Sequence, residues 1–337
     1  MAYLSVGDMA QNYTLRHHNA QLKSALNRLS EEVVTGEKKD TGAALGGDFS
    51  AFSGINRSLT MLESYKIVTS EATLALDTMQ ASLGTIQTLS DQIGATILSS
   101  SNEANPTLVD ATVADASVMF DTVISALNTN AAGQYLFSGI ARDTAPLPTP
   151  DDLLAALSTE IAGATTAQEV ISRVSDWFDA PVGGGGFLDT AYHGDDSQPI
   201  SYRVADSEVT EINSTAADPR LRDVLKGFAI AALTADGLFA GNAPMRGQLA
   251  AASGEAIMTG NYTLTSLVAD LGARQGRIAD AATRNEAEGT ALQIARNGLV
   301  AADPYETASA LEAMTTQLET LYTMTGRLSR LTLADYI

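Results

Sequence analysis

Apolar residues recur at coiled-coil spacing in both end segments of the chain, and this pattern constrains the fold more than any other feature. In the N-terminal segment the row consists of four leucines and a valine: Leu15, Leu22, Leu26, Leu29 and Val33. In the C-terminal segment the row steps by three and four residues, with Thr325 interrupting it and Leu331 beside it: Leu311, Met314, Leu318, Leu321, Leu328 and Leu331. A helix that carries one such row buries it against a partner.

These eleven residues, called the terminal stripe below, cannot stabilise either end alone. Burying about seven such side chains contributes on the order of 10 to 20 kcal/mol, whereas ordering roughly 25 residues costs ~1 to 2 kcal/mol each. An isolated end therefore frays until it meets the other end or a second copy. We predict that the terminal stripe is an assembly interface.

The composition favours helical bundles over a large β-sandwich. Hydrophobic residues make up 45% of the 337 residues, which is enough for a core, but aromatic residues make up only 6%. There is no cysteine, which excludes disulfides, thiolate metal sites and a cysteine nucleophile. The apolar content is therefore expected to lie mainly in helices.

The charge distribution argues against two classes of partner. The net charge is -20, so nucleic acid and anionic membrane surfaces would repel the chain. Residues 1–70 balance seven acidic with seven basic side chains, while residues 71–139 hold seven acidic and no basic ones. Near-neutral ends can pack against like copies with little repulsion. Residues 1–10 lack the pattern of a cleaved signal peptide, and no apolar run is long enough for a membrane span.

The periodicity predicts a mainly α fold. We expect a long antiparallel helical rod or coiled-coil bundle formed by the N- and C-terminal regions, with an inserted mixed α/β domain. The predicted segments are an N-terminal coiled-coil helix (1–40), the first half of the rod (41–140), the inserted domain (141–241), the returning rod helix (242–300) and a C-terminal coiled-coil helix (301–337).

Local signals define several element boundaries. The first helix should run over residues 8–35 and end at Gly36, since glycine adopts the left-handed conformation that ends helices. The last helix should begin with Asp303 as N-cap and Pro304 as its first residue. Residues 37–54 are predicted to be irregular and residues 99–106 a turn, while residues 200–204 and 209–212 alternate as strands do.

No group of residues predicts catalysis, a cofactor site or a metal site. His17 and His18 are adjacent and would point about 100° apart on a helix, so they cannot chelate one ion from one face. His193 is remote from both. Gly183–Gly186 lacks the Lys and Ser or Thr that complete a phosphate-binding loop, so it is interpreted as a linker or turn. We therefore predict that the chain binds no cofactor and is not an enzyme.

Four motifs, in the expected order, resemble the bacterial flagellin superfamily. The chain ends in a leucine-rich run typical of the closing helix of that family, and its first helix ends at a Thr-Gly turn. A fragment with the sequence Tyr-Leu-Phe-Ser-Gly resembles the signature of the hook-associated proteins of the hook–filament junction. The segments are Leu26–Ser30 with Thr35–Lys38, Asn130–Gly139, Leu271–Ile278, and Asp303–Ala308 with residues 311–337. The resemblance covers residues 1–139 and 245–337.

The resemblance implies a structural subunit that is exported unfolded through the flagellar type III apparatus and folds at the growing tip. Its partners would be further copies of itself, flagellin, another hook-associated protein on the hook side, and an export chaperone bound to the C-terminal helix. Its location would be extracellular, in the flagellum. Three alternatives stay open: a flagellin that forms the filament itself, a ligand-binding or enzymatic module in residues 141–241 displayed on the rod, and a cytoplasmic coiled-coil scaffold.

Overall fold

A computed structural model describes residues 6–102 and 105–334, with the side chains of residues 6–8, 11, 12 and 328–334 outside the description. Most described residues lie in helices, which confirms the mainly α fold class. The helices are α1 (Val6–Thr35), α2 (Thr41–Ala44), α3 (Ser50–Asn102), α4 (Pro106–Leu127), α5 (Pro150–Glu160), α6 (Ala167–Asp179), α7 (Phe187–Thr190), α8 (Pro219–Ala235), α9 (Ala243–Val300) and α10 (Pro304–Ala334). The strands form two antiparallel hairpins, β1 (Asn130–Ala131) with β2 (Gln134–Tyr135), and β3 (Ile200–Ala205) with β4 (Glu208–Ile212).

Most boundaries predicted from local signals are confirmed. Helix α1 ends before Gly36, which has φ +71°, and α10 begins at Pro304. Strands β3 and β4 coincide with the predicted alternating segments. Two segments differ from the prediction: residues 37–54 include the short α2 and the start of α3, and α3 continues to Asn102 before the turn. The hairpin β1–β2 was not predicted.

The chain forms two compact units, Met1–Leu62 with Glu286–Ile337 and Glu63–Asn285, called the terminal unit and the central unit here. The central unit contains the large hydrophobic core, to which α3, α4, α5, α6, α8 and α9 all contribute. Its largest fully buried side chains are aromatic: Phe120, Phe137, Phe178, Phe187 and Phe228. Five of the eight phenylalanines of the sequence are thus fully buried in this core.

Within the central unit, α3 and α9 run antiparallel, and polar side chains fix their register. Gln80 donates to the carbonyl oxygen of Val268 at 2.8 Å. Further along, Asn261 donates to Asp91 at 2.6 Å, so the residue number rises in α3 as it falls in α9. Both helices also contribute leucines to the buried core of this unit. The antiparallel helix pair expected from the periodicity is present in this unit.

The signature segment 130–139 is tightly fixed in the central unit. Phe137 and Ser138 are fully buried. The amide of Asp195 donates to the carbonyl of Ser138 at 2.8 Å, and the amide of Ile140 donates back to the carbonyl of Asp195 at 2.9 Å. Gly139, with φ +64°, lies so close that a Cβ there would be 1.9 Å from the carbonyl oxygen of Asp195. Only glycine satisfies both the backbone angle and the close approach.

Candidate assembly interface

Helices α1 and α10 pack against each other in the terminal unit, and the pair is antiparallel. Near the middle of α1, the ammonium of Lys23 lies 5.9 Å from the centroid of the Tyr322 ring. Closer to the end of α1, Leu29 and Glu32 border the same hollow as Thr307 near the start of α10. Later residues of α1 therefore lie beside earlier residues of α10, as in an antiparallel pair. The sequence predicted this pairing of the two ends.

The structure brings the described part of the terminal stripe to this helix pair, but it buries the stripe incompletely. Leu29 is buried, with 7% of its surface exposed, whereas Val33 is 44% exposed. The side chains of Leu328 and Leu331 lie outside the described residues. The remaining stripe residues are all half-buried: Leu15, Leu22, Leu26, Leu311, Met314, Leu318 and Leu321. In the single chain, the described residues of the terminal stripe therefore keep part of their apolar surface in contact with solvent.

The connections after α1 and before α10 are joined by backbone hydrogen bonds. The amide of Lys38 donates to the carbonyl of Val300 at 2.8 Å, and the amide of Ala302 donates to the carbonyl of Gly36 at 2.9 Å. The carboxylate of Glu37 lies 3.3 Å from the guanidinium of Arg296. These contacts fix where the two terminal helices begin and end relative to each other.

Local capping explains why α10 begins where it does. A carboxylate oxygen of Asp303 accepts hydrogen bonds from the amides of Tyr305 at 2.8 Å and Glu306 at 2.9 Å. Pro304, the first helical residue, has no N–H that would need a partner. Both boundary residues predicted from the sequence are therefore confirmed, and a missing cap would lengthen the frayed end of this helix.

A polar contact also links the two terminal helices. Hydrogen bonds with Lys23 and then Asn19 lower the pKa of Tyr322 from its ordinary value, because they favour the phenolate form. Tyr322 is nevertheless 47% exposed. Because the contact lies at the surface, it contributes little to the free energy of unfolding. It mainly helps to set the register between α1 and α10.

The terminal unit has almost no core of its own. Among its side chains that the structure describes, the buried ones are Leu29, Glu32, Val300, Ala302 and Thr307. Large apolar side chains stay exposed instead, among them Val34 at 83%, Tyr305 at 83% and Ile294 at 68%. Val34 lies in α1 and Tyr305 in α10, so each of the two paired helices presents a large apolar side chain to solvent.

The residues considered for chemistry do not converge on a site. In the glycine-rich segment, the carboxylate of Asp189 accepts the amides of Gly183 at 2.8 Å and Gly185 at 2.7 Å, and these bonds lower the pKa of Asp189. The backbone donors that could bind a phosphate thus already hold an internal anion. Within residues 6–102 and 105–334, no cluster of three or more His, Asp or Glu side chains is arranged to hold a metal ion.

No described helix is both long and apolar enough to cross a bilayer.

Comparisons with known proteins agree with the arrangement of the ends. Residues 8–142 match the family described as the bacterial flagellin N-terminal helical region, and residues 255–337 match the bacterial flagellin C-terminal helical region. No curated protein sequence matches the chain significantly. A solved Vibrio parahaemolyticus structure, provisionally assigned as a flagellar hook-associated protein, is similar with 16% identity and a TM-score of 0.51. The match covers 73% of this chain and 94% of that one, and it shows a shared fold. The two family matches span most of the sequence, and the chain belongs to the bacterial flagellin family, whose members are structural, non-enzymatic components of the flagellum.

Proposed function

We propose that the chain is a subunit of the hook–filament junction and that it assembles with copies of itself through its paired terminal helices after export in an unfolded state. Its other partners would be flagellin, a hook-associated protein on the hook side, and an export chaperone that holds the C-terminal helix. The assembled protein would be extracellular. The weak core of the terminal unit suits export, because little free energy opposes unfolding of the ends.

The observation that carries the assembly role is the incomplete burial of the terminal stripe. A half-buried stripe on two helices becomes fully buried when a helix of another copy packs beside it. Charge permits such a contact: the terminal unit has thirteen acidic and nine basic side chains, against twenty-seven and eleven in the central unit. Copies therefore repel each other less through the terminal unit than through the central unit.

Two observations favour the junction over the filament. Asn130–Gly139 resembles the signature of junction proteins, and in this chain Ser138 and Gly139 lie directly against Asp195, with a backbone hydrogen bond from the amide of Asp195 to Ser138. The Vibrio parahaemolyticus structure of similar fold is assigned to the hook-associated proteins. A flagellin that forms the filament is the second candidate, because both matching families are described as regions of bacterial flagellin.

Deletion of the gene tests the junction role. We expect loss of filaments and accumulation of flagellin in the culture medium, because flagellin would have no base on which to polymerise. Mass spectrometry of sheared wild-type filaments distinguishes the second candidate: a junction subunit is a trace component, while a flagellin is the dominant one. Normal filaments in the deletion strain, or dominance of this chain in filaments, would contradict the junction role.

A matched pair of variants tests the interface. Leu318→Asp places a charge on the terminal stripe, whereas Gln317→Asp places the same charge on an exposed position of the same helix. We expect Leu318→Asp to leave the central unit folded and to abolish incorporation into flagella, while Gln317→Asp incorporates normally. Equal incorporation of both variants would show that the terminal stripe is not the interface.

The alternative of a ligand-binding module in residues 141–241 has weaker support. The glycine-rich segment is the part of that region most like a nucleotide loop, and the carboxylate of Asp189 occupies its backbone donors. In addition, Phe178, Phe187 and Phe228 of this region lie in the same buried core as α3, α4 and α9, so the region packs as part of the central unit.

A further inference from the structure

The methionines of this chain span the full range of burial. The sequence has nine methionines and no cysteine, so its sulfur atoms are all thioethers. In the central unit, Met79 is only 1% exposed and lies in the core. In the terminal unit, Met9 is 56% exposed and Met324 is 58% exposed. An oxidant in solvent therefore reaches the thioethers of Met9 and Met324 directly, while that of Met79 is shielded.

Met314 is the one methionine of the terminal stripe, and it is half-buried in the single chain. It lies in α10 between Leu311 and Leu318, at the three-and-four spacing of the stripe. A thioether packs well in a row of leucines, because it is apolar and unbranched and adapts its shape. Its sulfoxide is polar and chiral, and it disrupts apolar packing. Oxidation therefore converts an apolar position of the stripe into a polar one.

Oxidation of a thioether by hydrogen peroxide is a two-electron reaction that needs no further reactant. The sulfur attacks one peroxide oxygen, the O–O bond breaks, and the transferred oxygen forms the S=O bond of the sulfoxide. The hydroxide that leaves takes up the proton of the transferred oxygen and becomes water. Because the chain has no thiol that could react first, its accessible thioethers are the sulfur atoms that a peroxide meets.

We propose that Met314 makes self-association sensitive to peroxides, because sulfoxide formation at Met314 in the free subunit prevents a second copy from burying the terminal stripe. The inference rests on the proposed function, since it assumes that copies meet at this stripe. A partner helix that covers the oxidised side chain must bury the S=O oxygen among leucines, which costs more than burying the thioether. Once a partner covers Met314, the same contact protects its sulfur from peroxide.

Peroxide treatment of the purified full-length chain tests the proposal on matched variants. Met314→Leu removes the oxidisable sulfur and keeps an apolar side chain of similar volume. Met258→Leu is the control, because Met258 is 46% exposed but lies on α9 in the central unit. We expect peroxide to weaken self-association of the wild type and of Met258→Leu about tenfold or more by sedimentation velocity, and to leave that of Met314→Leu unchanged. Peptide mass spectrometry identifies which methionines carry the added oxygen.

A variant that needs no oxidant provides a second test. Met314→Gln places a permanent polar group of similar length at the same position, and we expect it to associate as weakly as the oxidised wild type. The proposal is wrong if Met314→Gln associates normally or if peroxide weakens Met314→Leu as much as the wild type. It is equally wrong if peroxide leaves Met314 of the free subunit unmodified, or if the wild type with sulfoxide at Met314 associates normally.

The assembly role itself is tested separately in the same assay. Leu318→Asp, measured without peroxide, should lose association whether or not Met314 is a redox-sensitive position. Normal association of Leu318→Asp would contradict the terminal stripe as the interface, whereas loss in Leu318→Asp with normal association of Met314→Gln would overturn only the peroxide sensitivity.

Discussion

Replacement of Gly139 by alanine should destabilise the central unit far more than a typical glycine substitution. The left-handed backbone, φ +64°, costs about 1 kcal/mol for a residue with a Cβ. The added Cβ would also lie 1.9 Å from the carbonyl oxygen of Asp195, so the two segments must separate. Separation breaks the two backbone hydrogen bonds that join Ser138, Ile140 and Asp195, each worth about 1 kcal/mol or more when its groups stay buried. The expected loss is therefore about 3 to 4 kcal/mol.

Gly163 provides a matched control for this prediction. Its φ of +77° imposes the same backbone strain, but a Cβ there meets no atom within 4 Å. Gly163→Ala should therefore lose only about 1 kcal/mol. The difference between the two variants isolates the close approach of Gly139 to Asp195 from the conformational preference of glycine.

The single tryptophan of the chain gives a direct assay. Trp177 lies in α6, is 5% exposed and packs edge-on against Phe178 and Phe187 in the core of the central unit. Urea unfolding followed by its fluorescence should show a midpoint lowered by about 1 M for Gly139→Ala and by a third of that for Gly163→Ala. Equal midpoint shifts for the two variants would refute the reasoning, because they would show that backbone strain alone accounts for the loss.

Three further predictions concern local structure. Asp303→Ala should destabilise the start of α10 by about 1 kcal/mol, seen as lower helix content by circular dichroism, and Asp303→Asn should largely restore it. Ala132→Gly should raise stability by about 0.5 to 1 kcal/mol in the urea assay, because Ala132 has φ +51° in the β1–β2 turn. The lowered pKa of Asp189 means that its bonds to Gly183 and Gly185 stabilise the fold above about pH 4 and are lost as pH falls through the folded-state pKa. Asp189→Asn should therefore melt lower than the wild type at neutral pH, with the gap closing in acid; a constant gap would contradict this assignment.

The sequence predicted the helices because their signals are local. Periodic apolar residues, an N-cap at Asp303 and a terminating glycine at Gly36 act within one or two turns, and the structure confirms each of them. Pairing of the two ends was predictable for a different reason. Each end carries one row of the terminal stripe, and within one chain each row is the natural partner of the other. The eleven positions of the terminal stripe remain a prediction as an interface between copies.

The interior of the central unit was not predictable in the same way. The close contact of Gly139 with Asp195 joins segments far apart in sequence, and no local pattern indicates which of many glycines has a backbone neighbour. A turn signal did exist for the missed hairpin β1–β2, because Gly133 lies in the two-residue connection between the strands. Strands of two residues, however, carry too little alternation to stand out. Likewise, the carboxylate of Asp189 accepts backbone amides of the glycine-rich segment, and this contact forms only when the loop is folded.

The uneven distribution of burial between the two units has a consequence for how assembly is controlled. The central unit contains the large core and so can remain folded while the terminal unit opens. In the proposed assembly, the terminal unit gains stability from contacts with other copies, so its folding free energy would depend on their concentration. Assembly is then favoured where subunits are delivered next to one another and disfavoured where chains are dilute. A more complete core in the terminal unit would remove that dependence, because the stripe would be satisfied before a second copy arrived.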